Sequence, residues 1–335
     1  MTSPITEPTQ PASPVGKRER PRWARRLMGL VAIGVAAIGG ALAYRHLWYA
    51  RPVGHGPAGP SVPAERFEDD HGTWSDREVL LLGIGDSVTA GFGASAGMGY
   101  FDRLVSNPKN DFPDMEGKCL SQVLPNLVHR NLAIAGYNSL ECLEHQIPKI
   151  GIQDADTFGV VVMTIGGNDI IHNYGRSAPR EGAMYGATLE QAIPWIENFR
   201  ARLDAIIDQI AAKFPGGCEF FIANIYDPTD GVGDAANAGL PNWPDGLKIL
   251  DMYNAIIATA AEKRKNVELV DMRRLFLGHG IHCRKFWQPY YDAKDAHYWY
   301  GENLEDPNDR GYDALRRLFL TDMARVLPPL LEDGD

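Results

Sequence analysis

The chain has 335 residues, room for one α/β domain of ordinary size plus tails. It carries 33 Lys and Arg against 43 Asp and Glu, a net charge of −10, unevenly spread. Residues 1–50 hold seven basic side chains against Glu7 and Glu19, so the chain beyond residue 50 carries −15, which argues against nucleic acid or an anionic surface as a charge-bound partner.

In chain order, residues 1–26 are rich in Pro, Ser and Thr and then basic, a composition that cannot bury a core and predicts a disordered cytoplasmic tail. Leu27 to Tyr44 is an uncharged run of 18 residues. As a helix at about 1.5 Å per residue it spans roughly 27 Å, enough for a bilayer core. A globular core helix would show a polar face, and this run has none. The basic cluster on its amino side predicts a cytoplasmic N-terminus, with the rest of the chain across the membrane on the extracytoplasmic side. Ala41-Leu42-Ala43 also fits a small-x-small cleavage site, which would release a secreted product; the long basic leader and the 18-residue run favour a retained signal anchor. Residues 45–76, with Pro52, Gly54, Gly56, Pro57, Gly59, Pro60 and Pro63, read as a flexible linker.

From residue 77 to about 330, strand-like and helix-like segments alternate. Apolar strands are expected to end near Ile84, Ala135, Ile165, Asn224 and Val270. Between the third and fourth, Leu189, Ala192, Ile196, Phe199, Leu203, Ile206 and Ile210 recur at helical spacing, and Thr188 with Gln191 forms a capping box. Further helices are expected at about 247–263 and 312–327. Such alternation predicts a parallel sheet covered on both faces. Two long connections flank the strand ends, one after Asp169 through His172, Tyr174 and Arg176, the other from Asp227 to Pro244. Asp227, Asp230 and Asp234 in the second are calcium candidates or plain solvated turn acids. Cys119, Cys142, Cys218 and Cys283 allow two disulfides in an oxidising compartment or four buried thiols.

Three strand ends carry chemistry. Val79 to Ile84 runs into Gly85-Asp86-Ser87-Val88, a strand feeding a tight turn that lifts one serine hydroxyl at the carboxyl end of a sheet. Asn131 to Ala135 ends at Gly136, and Val160 to Ile165 ends in Gly166-Gly167-Asn168-Asp169. The Gly-x-Ser-x-Gly elbow is absent, because Thr89 stands where its second glycine would be. In order and separation the three blocks resemble the SGNH, or GDSL-type, hydrolase family. That resemblance implies a flavodoxin-like three-layer α/β/α sandwich with a parallel sheet, here preceded by one N-terminal transmembrane helix. It implies a serine ester hydrolase working through an acyl-enzyme, with no cofactor and no metal. Ser87 would be the nucleophile; its own N–H, Gly136 N–H and the Asn168 side-chain amide would form the oxyanion hole. The residue types suit those roles, since glycine permits close backbone approach and an amide donates without deprotonation.

The base departs from the family pattern. The family carries Asp-x-x-His near the C-terminus, often followed by Pro-Asn; here Asn303-Leu304-Glu305-Asp306-Pro307-Asn308 has that tail, with Asp306 at the histidine position. The nearest histidine, His297, is expected to be the general base, with Asp295 as its orienting acid and Asp292 as second choice. His279 and His282 are further candidates; with Cys283 their spacing suggests zinc, but no second ligand pair follows. The ester substrate is a lipid, an acylated glycan or a small ester. An acyltransferase would use the same site, and a noncatalytic envelope-binding protein is the alternative of a different kind.

Overall fold

The structure, a computed structural model, describes residues 22–67, 72–172 and 174–332. Most of the tail expected to be disordered, residues 1–21, and the linker acids Glu68, Asp69 and Asp70 lie outside the described residues. The chain divides into two units, Met1–Tyr49 and Ala50–Asp335.

The described part of the first unit is a helix, Arg22–Tyr44, continued by a π-helical turn, Arg45–Tyr49; none of its residues is buried. It starts five residues before the uncharged run, because arginine and alanine are strong helix formers and nothing from Arg22 onward breaks the turn. The result is a helix long and apolar enough to cross a bilayer.

The second unit is built on five parallel strands, β1 (Val79–Gly85), β2 (Leu127–Asn131), β3 (Phe158–Thr164), β4 (Cys218–Ala223) and β5 (Val267–Val270), in the order β2-β1-β3-β4-β5. β1, β3 and β4 are buried along their whole length, which is why they read as continuous apolar runs and not as alternation. Alternate residues face opposite layers. Leu81, Val160, Val162 and Phe221 pack toward the last helix, Asp309–Glu332. Leu80, Leu82, Val161, Met163 and Phe220 pack toward the helices Leu189–Ala211 and Gly246–Lys263. This is the three-layer α/β/α sandwich, and its strand order is the flavodoxin-like one. The capping box at Thr188 forms as its spacing requires. β2 ends at Asn131, short of Ala135, since it is a largely exposed edge strand, but Leu132 and Ile134 still donate to Gly83 O and Gly85 O.

The segment read as a flexible linker is not free. Ala58, Val62, Phe67 and Trp74 are buried in the same core as the last helix. Ala58 N–H donates to Asp313 Oδ2 at 3.2 Å, Tyr298 N–H to Pro52 O at 2.8 Å, and Arg310 to the carbonyls of Gly56 and Pro57. Proline and glycine here set a fixed irregular path, and four apolar side chains supply the burial that a solvated tether lacks. The four cysteines are buried free thiols.

Candidate active site

In a sheet of this order, the strand connections diverge between β1 and β3, opening a crevice at their carboxyl ends. β1 leaves the sheet at Gly85, whose φ of +116° is open to glycine alone; a Cβ there would fall 1.8 Å from Thr164 O. Gln146 fixes the turn by bonding both Gly85 N–H (2.9 Å) and Gly85 O (2.6 Å). Asp86 accepts from Val88 N–H at 3.2 Å and Thr164 Oγ1 at 2.7 Å, so it caps the one-turn helix Ser87–Ala90 and ties it to β3. Burial pushes the Asp86 carboxyl up to about 7, against these hydrogen bonds. Ser87 is thereby held at the mouth of the crevice.

Asn168 opens the short helix Gly167–Ile171 after β3, and its side-chain amide donates to Tyr137 O at 3.0 Å. Asp169 is fully buried and accepts from Ser139 N–H (2.8 Å) and Ser139 Oγ (2.6 Å), with Arg202 at 3.4 Å. These bonds tie the loop after β2 to the end of β3. Gly136, at φ +87°, and Asn168 thus line one depression, together with His172, Arg176 and Glu305. Ser87 and Asn168 line a second cavity, walled by Ile165, Ile171, Ile225, Leu247, Leu250 and Met272. Ser139 and Arg202 were not singled out from the sequence. Only the paired carboxylate identifies them.

The segment before the last helix completes the crevice. The Ser87 side chain lies close enough to the Asp306 carboxyl to influence its titration, and Asn303 Nδ2 donates to Asp306 Oδ2 at 2.6 Å. Asp306 is 2% exposed, and its Oδ1 has no hydrogen-bond partner. Burial raises its pKa above the usual carboxylate range despite the opposing influence of Ser87 and Asn303. Glu305, which lines both cavities, is pushed up to about 7 by burial and by Asp306. Asn308 holds this loop in place: its Nδ2 donates to Tyr298 O and Tyr300 O, and its Oδ1 accepts from Arg310 and Gly311 N–H. Tyr226 adds a hydrogen bond to Glu305 O.

A model of the GDSL-like lipase/acylhydrolase family matches residues 84–314, which span the serine turn, both glycine-ended strands and the Asp306 loop. The chain belongs to that family. It is an ester hydrolase of the esterase and lipase type, acting on carboxylic esters. A curated relative, the uncharacterized protein YpmR of Bacillus subtilis, is 30% identical over 219 residues, covering 64% of this chain and 74% of its own. Among solved structures, a member of the lipolytic protein G-D-S-L family from Veillonella parvula aligns at a TM-score of 0.45 and 15% identity, over 74% of this chain and 100% of its own. The acetylxylan esterase Axe2 of Geobacillus stearothermophilus aligns at 0.45 and 17%, over 74% and 94%.

Of the residues expected to act, Ser87 lines one cavity, Gly136 the other and Asn168 both, whereas His297 is absent from the lining of either. Its Nδ1 pairs with Asp295 Oδ1 at 2.6 Å, and its ring lies against Gly54. Asp295 also binds Arg310 at 2.6 Å; burial opposes its ionisation, but Arg310 and His297 outweigh that and hold its carboxyl below the usual range. Asp292 bonds Lys294 N–H instead of a histidine. His279 stacks on Trp299 at 3.5 Å, and His282 Nε2 meets Asp234 at 2.7 Å. The calcium-candidate acids serve the backbone: Asp230 accepts from Gly278, Gly280 and His282 N–H, and Asp227 from Thr229 and Gly231 N–H. Among the described residues no group of three or more His, Cys, Asp or Glu is placed to hold a metal.

Proposed function

We propose that the chain is a membrane-anchored, outward-facing hydrolase that cleaves acyl esters through Ser87, with Asp306 in place of histidine as the proton acceptor. The observation that supports this reading is the buried Asp306 carboxyl, with one oxygen unpartnered and its titration influenced by the Ser87 side chain, on the loop whose neighbour Glu305 lines the same apolar cavity as Ser87.

Asp306 accepts the Ser87 proton as Oγ attacks the ester carbonyl. The tetrahedral oxyanion is held by the N–H groups of Ser87 and Gly136 and by the Asn168 amide, whose bond to Tyr137 O orients it. The protonated Asp306 then returns its proton to the departing alkoxide, leaving Ser87 acylated. Water gives a proton to Asp306 and attacks the acyl carbon, and the proton passes back to Ser87 as the acid leaves. Asn303 positions Asp306 as the family's aspartate positions its histidine, but it supplies a hydrogen bond and no charge. A carboxylate with an elevated pKa is a better base than an exposed one and, once protonated, still a competent acid.

The apolar walls of the cavity favour an acyl chain longer than acetyl. Each methylene buried there contributes about 0.8 kcal/mol, close to fourfold in kcat/KM. The anchor reading rests on the helix Arg22–Tyr44, which buries no side chain, and on the arginines at its amino end. The test is fluorophosphonate labelling of the full chain together with a p-nitrophenyl ester series from acetate to octanoate. Labelling lost in Ser87→Ala and rates that climb with chain length support the reading. Undiminished hydrolysis by folded Ser87→Ala would refute it.

A further inference from the structure

The depression lined by Gly136, Asn168, His172, Tyr174, Arg176 and Glu305 shares Asn168, Tyr174 and Glu305 with the apolar cavity that Ser87 lines. The two spaces therefore adjoin at the amide assigned to the oxyanion. An ester attacked there has two arms, an acyl chain and an alcohol. The apolar walls suit the first, which leaves the polar depression for the second.

The polar groups of the depression are unspent. The side chains of His172, Arg176 and Glu305 make no hydrogen bond or ion pair among the described residues. Tyr174 lines both spaces, and its buried hydroxyl has no hydrogen-bond partner. Its backbone sits at φ +47°, a left-handed conformation that a tyrosine rarely adopts. The turn is nevertheless fixed, because Gly175 lies so near the Tyr185 ring that a Cβ would fall 3.2 Å from it. An orphaned hydroxyl and a strained backbone at one residue are costs that folds retain where a ligand binds.

We infer that this depression holds the alcohol part of the ester and that Arg176 selects an alcohol bearing an anionic group, a carboxylate or a phosphate. The inference rests on the ester-hydrolase reading given above and names the arm of the substrate which that reading leaves open. Charge decides for an anion. A guanidinium without a carboxylate partner, in a unit with so large an acidic excess, can grip two oxygens through parallel N–H bonds. His172 adds a ring N–H donor to the same wall. Glu305 opposes an anion only in part, because burial and Asp306 push its carboxyl up to about 7.

The experiment uses the full chain in detergent and two soluble esters, meta-carboxyphenyl butyrate and its neutral isostere meta-carbamoylphenyl butyrate. The readout is the ratio of their kcat/KM values, each divided by the ester's rate of alkaline hydrolysis. In the parent this ratio should favour the carboxylate by about tenfold. Arg176→Gln should bring it to within about twofold of one, and Arg176→Glu should invert it. Inorganic phosphate, compared with chloride at equal ionic strength, should inhibit the parent competitively and Arg176→Gln far less. Ser87-dependent turnover of both esters, with a ratio near one or a ratio that Arg176→Glu leaves in place, overturns the inference and spares the hydrolase reading. A chain inert to both esters and to fluorophosphonate refutes that reading and the inference with it.

Discussion

Asp306→Asn should move activity and stability in opposite directions. In the native state the carboxyl is 2% exposed, with one oxygen unpartnered, and burial raises its pKa; in the unfolded chain it returns to about 3.9. A folded pKa above the unfolded one means that the native state binds the proton more tightly. Stability is therefore highest below about pH 4 and is lost as pH rises through the folded value. Asparagine does not ionise, so the variant escapes that loss. Each unit of pKa elevation is about 1.4 kcal/mol, or roughly 2–4 °C in Tm for a domain of this size. The variant should melt above the parent at pH 8, and the two should converge near pH 4. Loss of the proton acceptor should meanwhile lower kcat/KM for an aryl ester by about 10²–10⁴, or roughly 3–5 kcal/mol of transition-state stabilisation. Esterase assays and thermal melts at both pH values check both arms. Turnover within about threefold of the parent would refute Asp306 as the base. A lower Tm at pH 8 would refute the burial argument.

The remaining predictions concern the partners and the setting. Asn168→Ala should lower kcat by about 10²–10³ with little change in KM, because its amide meets the oxyanion and not the ground-state ester; steady-state kinetics measure the split. His297→Ala should change kcat/KM by less than about threefold, since its ring pairs with Asp295 and lines neither cavity; a loss of several orders of magnitude would return the base to the histidine. In the parent, kcat/KM should rise with pH through a single carboxyl displaced upward from its usual range, and His297→Ala should leave that limb in place. The full-length protein should stay with membranes through a carbonate wash, and protease added outside should remove the domain beyond residue 50.

Much of this was legible in order along the chain, because local physics sets it. Unbroken apolar runs mark strands buried on both faces, the Leu189–Ala211 periodicity marks one helix face, and an uncharged run with arginines before it marks a helix that suits a bilayer. That Ser87, Gly136 and Asn168 lie just beyond the carboxyl ends of β1, β2 and β3 was readable for a related reason: a parallel sheet brings its strand ends to one edge whatever the loops do. The choice between His297 and Asp306 was not readable. Both sit on the irregular segment before the last helix, where no periodicity fixes side-chain direction. Its path depends on partners distant in sequence: Gly54 against the His297 ring, Gly56 and Pro57 on Arg310, and Tyr226 on Glu305. The linker followed the same logic, since its proline and glycine content predicts an irregular backbone but not whether Ala58, Val62 and Phe67 find a core to enter. Sequence determined which residues stand at the ends of regular elements, and tertiary packing decided where the irregular loops between them run.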